Sequence, residues 1–132
     1  MSLADMFGKL LFGKSFLKTV VSAQTVRNVN KDWEGIALAL QQRQPSQLKQ
    51  AVITADKCLD NALRDVVAGD NMGERLKNAE QKFDKPTYNK IWEAHKVRNN
   101  LVHESGYDAQ YFVVAQSIES LKEGLKSLGV YL

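Results

Sequence analysis

Leu48-Lys49-Gln50-Ala51-Val52-Ile53-Thr54-Ala55-Asp56-Lys57-Cys58-Leu59-Asp60-Asn61-Ala62-Leu63-Arg64-Asp65-Val66 decides the fold. Its apolar residues Leu48, Val52, Ala55, Leu59, Leu63 and Val66 recur in steps of four, three, four, four and three. That spacing gathers side chains on one face of an α-helix. Lys49, Asp56, Lys57, Asp60 and Arg64 are expected on its other sides. A stripe this regular has to be buried against other helices, so it predicts the core face of a bundle.

The same period extends outward in both directions. Upstream, from Asn28 or Asn30 to Gln42, Trp33, Ile36, Ala37 and Leu40 form an apolar face. Pro45-Ser46 interrupts it, with Ser46 expected to cap the next helix. Downstream, Ala68-Gly69-Asp70 ends the central helix, and Asn71 with Glu74 predicts a capped short helix through Phe83. Asp84 and Pro86 start another helix, which carries Tyr88, Ile91, Trp92, His95, Leu101 and Val102 to about His103, where Ser105-Gly106 stops it. The last runs from about Asp108 to Leu128 with Phe112, Ala115, Ile118, Leu121, Leu125 and Leu128 at bundle spacing. No segment alternates with the period of a strand. The expected fold is all-α: an antiparallel up-and-down bundle of four main helices, a short extra helix and an N-terminal helical extension. Residues 1–22 would be that extension and residues 23–132 the bundle domain.

A chain of 132 residues can bury such a core as one domain. Eighteen basic residues against 15 acidic ones give a net charge of +3, which permits a polyanionic partner without arguing for one. Cys58 is the lone cysteine, so an intrachain disulfide is excluded and a reducing cytoplasm fits. Its place on an apolar stripe suits a buried small hydrophobe. No histidine, cysteine and carboxylate cluster has metal-binding spacing, so no metal and no cofactor are expected.

The N-terminal extension is apolar (Phe7, Leu10, Leu11, Phe12, Phe16, Leu17, Val20, Val21) but broken by Lys9, Lys14 and Lys18, which argues against a secretion leader. Docking on the bundle, pairing with a second subunit and touching a membrane surface are its three open roles, in that order. Gly8-Lys9-Leu10-Leu11-Phe12-Gly13-Lys14-Ser15 matches a phosphate-loop pattern. It lacks the preceding strand, and its apolar middle does not suit an exposed loop, so coincidence is the expectation.

Chemistry concentrates in Val97-Arg98-Asn99-Asn100-Leu101-Val102-His103-Glu104. His95, Asn99 and His103, spaced four apart, share one helical face, and the long side chain of Arg98 reaches its rim. The free carbonyls of a last helical turn favour an imidazolium at His103. With no metal, an imidazole can move a proton to or from a ribose 2′-hydroxyl or its leaving oxygen, while a guanidinium stabilises phosphoryl charge. Asn99 can orient either ring or substrate. His95, Lys96, Asn100 and Tyr107 are candidate substrate contacts. Spacing alone favours an ordinary polar helix end.

Trp92-Glu93-Ala94-His95-Lys96-Val97-Arg98-Asn99-Asn100-Leu101-Val102-His103-Glu104 resembles the signature of the HEPN superfamily, an arginine with a following polar residue and, after four intervening residues, a histidine. Arg98, Asn99 and His103 occupy those positions. The resemblance implies a HEPN-like bundle that dimerises with its motif helices facing each other. It also implies a metal-independent endoribonuclease of toxin or defence type, with Arg98, His103 and Asn99 catalytic. The implied partners are RNA, a second copy of the chain, and an antitoxin or nucleotidyltransferase. In one toxin branch a tyrosine two residues after the histidine is modified by that partner; here Ser105 stands there and Tyr107 is the nearest tyrosine. Other members are non-catalytic modules that bind RNA, nucleotides or proteins, which is the alternative reading.

Overall fold

α1 (Ala23–Gln42) begins where the Ser22 hydroxyl accepts a hydrogen bond from the Thr25 amide at 3.1 Å. The computed structural model describes residues 20–132. Most of the N-terminal extension, and the whole Gly8–Ser15 pattern, lie outside them. The helix starts earlier than the expected Asn28, because Ser22 caps it and the buried Val29 prolongs its inward face. Ala37, about 100° round the helix from the buried Ile36, is exposed, and Ala39 is buried in its stead.

Arg43, in the left-handed region at φ 60°, closes α1 by donating its amide to the Ala39 carbonyl at 3.0 Å. α2 (Pro45–Val66) follows at once. Proline suits a first helical turn, because its φ is already helical and its missing amide hydrogen would have had no partner. Ser46 therefore lies within the first turn; Gln44 takes the cap position and makes no side-chain cap bond. The backbone amide of Ser22 donates to Asp65 Oδ2 at 3.0 Å, so the start of α1 lies beside the end of α2 and the two run antiparallel.

α3 (Met72–Asn78) is capped by Asn71, whose side-chain oxygen accepts from the Glu74 amide at 2.8 Å. It stops short of the expected Phe83. The Ala79 amide is shared between the carbonyls of Arg75 and Leu76, and the chain tightens into a 3-10 turn over Glu80–Lys82. α4 (Lys85–His103) starts at Asp84, which accepts from the Thr87 amide at 2.7 Å, and ends where expected. α5 (Tyr111–Ser127) begins after Asp108.

α2 lies at the centre, packed on α1, α4 and α5. All six residues of its stripe are buried. Leu48, Leu101 and Val114 line one cavity near one end, while Gly124 sits against Ile91 and Leu59 further along. α4 therefore runs opposite to α2 and α5. Besides Ala37, two more expected core positions face outward: Phe112 is 62% exposed and Val102 is exposed, while Val114 and Ala94 are buried. Asp56, expected on a side away from the apolar stripe, is 3% exposed. Among the described residues there is no strand, and no helix is long and apolar enough to cross a membrane.

Candidate functional site: an Asp–His–Arg cleft

Burial of Ile91, Ala94 and Leu101 sets the rotation of α4. His95 follows Ile91 by four residues and Arg98 follows Ala94 by four, so both emerge at the margin where α4 meets α2. There they find Asp56. His95 Nδ1 lies 3.1 Å from each carboxylate oxygen. An ionised carboxylate only accepts, so Nδ1 is the donor, which fixes the ring's tautomer. Trp92 stands edge-on to the imidazole at 6.0 Å and holds its plane.

Arg98 shares the same carboxylate. Its Nε is 3.7 Å from Asp56 Oδ2, close enough for attraction and too long for a hydrogen bond. Among the described residues it is the single buried side-chain nitrogen or oxygen without a hydrogen-bond partner. Its Nη1 donates to Asn99 Oδ1 at 2.9 Å, and 31% of the side chain remains exposed. The guanidinium is thus tethered at its base and open at its tip.

A second ion pair lines the same cleft, one turn further along α2. Arg75 grips Asp60 with two bonds, Nε to Oδ1 at 2.7 Å and Nη2 to Oδ2 at 3.0 Å, and Nη1 donates to the Gly69 carbonyl at 2.7 Å. The bonds to Asp60 hold the Arg75 guanidinium proton more tightly than usual. Gly69 is required there: a Cβ would lie 2.7 Å from Arg75 Cγ. The open cleft has a volume of about 610 Å³ and is lined by Asp56, Asp60, Arg75, His95, Arg98 and Asn99 among others. Among the described residues no group of three or more His, Cys, Asp or Glu side chains is placed to hold a metal ion.

His95, Arg98 and Asn99 are therefore brought together. His103 is exposed at the end of α4, outside the cleft's lining. Lys96 is exposed and pairs loosely with Glu93 at 3.5 Å. Asn100 is half-buried, its carbonyl accepting from the Glu104 amide. Tyr107 lines a different cavity of about 430 Å³, with Leu48, Leu101 and Tyr111. Asp56, Asp60 and Arg75 escaped the sequence reading. Asp56 did leave a signal: four residues after Val52 and three before Leu59, it falls at the edge of the apolar stripe, about 20° beyond Leu63.

Comparison of the chain with protein-family models, curated proteins and solved structures found no match.

Proposed function

We propose that this chain is a metal-independent endoribonuclease of the HEPN type, with Arg98 and His103 catalytic and Asn99 in support. The observation that carries the reading is the mounting of Arg98: Asp56 and Asn99 hold it while the guanidinium tip stays open. A positive group fixed in advance stabilises developing phosphoryl charge without reorganising, which is what transition-state stabilisation demands. His103, exposed five residues further along the same helix, supplies proton transfer. Asn99 acts on the arginine here, since its oxygen accepts from Nη1.

A homodimer is part of the proposal. His103 leaves α4 at an exposed end, beside the exposed Val102 (41%), and the exposed Phe112 (62%) opens the next helix. Apolar surface around the motif's end suits a second copy of the chain, which would bring paired imidazoles and guanidinia to one cleft. A toxin or defence role fits the same chemistry, with an antitoxin such as a nucleotidyltransferase as partner.

The test is incubation of the purified full chain with single-stranded RNA in EDTA. The expected products carry 2′,3′-cyclic phosphate and 5′-hydroxyl ends, and His103→Ala slows cleavage by about 100-fold or more while circular dichroism is unchanged. Dependence on added magnesium would overturn the reading. RNA binding without cleavage, weakened by Arg98→Ala, would favour a non-catalytic binding module instead.

A further inference from the structure

We infer that His95, oriented by Asp56, is a second acid–base group beside Arg98 and accepts the proton of the attacking 2′-hydroxyl; this rests on the ribonuclease reading above. Both carboxylate contacts use Nδ1. His95 lines the cleft, and with Nδ1 taken by Asp56 the ring nitrogen left for a ligand there is Nε2. A buried carboxylate behind an imidazole sets its tautomer and stabilises the imidazolium that forms on proton uptake, as in the carboxylate–histidine pairs of hydrolases. Asp56, 5% exposed at its side chain, is such a carboxylate.

The placement along α4 suits the step. His95 precedes Arg98 by three residues and His103 follows it by five, about 4.5 and 7.5 Å along the axis. Within one chain His103 lies about 140° round α4 from Arg98 and outside the cleft, so a phosphodiester gripped by Arg98 meets the His95 imidazole of its own chain, with the His103 imidazole supplied by the second copy in the proposed dimer. His95 Nε2 takes the O2′ proton as the O2′–P bond forms and the P–O5′ bond breaks. The imidazolium of His103 gives its proton to O5′. The products are a cyclic phosphate and a 5′-hydroxyl, and proton exchange with water restores both rings. The charged groups that line the cleft with His95 are Asp56, Lys57, Asp60 and Arg64 from α2, Asp70 and Arg75 from the α3 side, and Arg98 on its own helix.

The experiment measures kcat and KM of the full chain on a short RNA from pH 5 to 9, for wild type, His95→Gln, His95→Ala with added imidazole, and His103→Ala. His95→Gln keeps a donor near Asp56 and tests the chemistry should the alanine variant fail to fold. The expected result is a kcat about 100-fold lower in His95→Gln with KM within about twofold, and loss of the limb along which the rate rises from acid pH. Imidazole should partly restore His95→Ala. Wild-type kcat and pH profile in His95→Gln, with His103→Ala inactive, would overturn this inference and leave the ribonuclease reading standing. A wild-type chain that cleaves no RNA would overturn both.

Discussion

Asp56 is the residue on which the site turns. It brings a carboxylate to the edge of the apolar stripe of α2 because His95 and Arg98 meet it there. Breaking a buried ion pair strands the surviving charge, so Asp56→Ala should cost about 2–3 kcal/mol in urea unfolding, at or below the low end of the usual range because Arg98 is partly exposed. Asp56→Asn should cost less. Cys58 shows the opposite use of burial. Desolvation, with Asp32 adding charge and a 3.7 Å contact to the thiol, pushes its pKa up from 9.0 to about 12. The folded thiol stays protonated where the unfolded one ionises. Its contribution to stability is therefore complete below pH 9.0 and is lost as pH rises toward about 12. A thiol reagent at pH 8 should label the native protein only as fast as it unfolds; rapid labelling would contradict the buried placement. Asp56 and Cys58 are buried on opposite margins of the stripe, yet only Cys58 was legible as buried. Apolar residues announce burial by type, whereas a buried acid depends on partners from another helix.

The elements were legible in proportion to their apolar regularity. α2 was plain because six residues keep one face over its whole length, and the ends of α4 followed from Asp84 and the stop after His103. The starts of α1 and α5 were not, since a serine cap and an uncapped glutamine leave weaker marks than proline or glycine. Two changes test how the elements are joined. At Gly124 a Cβ would come 2.8 Å from Ile91 Cδ1 and 3.3 Å from Leu59 Cδ2, so Gly124→Ala should destabilise by about 1–3 kcal/mol despite its better helix propensity. An unchanged unfolding midpoint would show that α5 can shift away. Asp84 caps α4, and the hydrogen bonds from Thr87 hold its carboxyl below the ordinary value of 3.8. The cap's contribution is complete above that value and fades as pH falls through the lowered one. Asp84→Ala should be less stable than wild type at neutral pH, and the two should converge in strong acid.

For the whole molecule, helical periodicity carried the helical fold, and a short motif pointed to three residues of the cleft's lining, His95, Arg98 and Asn99. The rest comes from residues distant in sequence: Asp56 lies 39 positions before His95, and Asp60 lies 15 before Arg75. Such pairs follow from how helices cross: spacing sets Asp56 at the edge of the apolar stripe but does not name the partner that meets it. The single chain also leaves His103 outside the cleft that holds Arg98, which is the strongest reason to expect a second copy. Sedimentation equilibrium should give a dimer, and a monomer at all concentrations would remove the shared-site arrangement. The most direct measurement is single-turnover cleavage of end-labelled RNA in EDTA by wild type, Arg98→Ala and His103→Ala. The predicted result is cleavage by wild type to cyclic phosphate ends, with both folded variants slower by about 100-fold or more. No cleavage by wild type, or undiminished cleavage by either variant, would contradict the assignment.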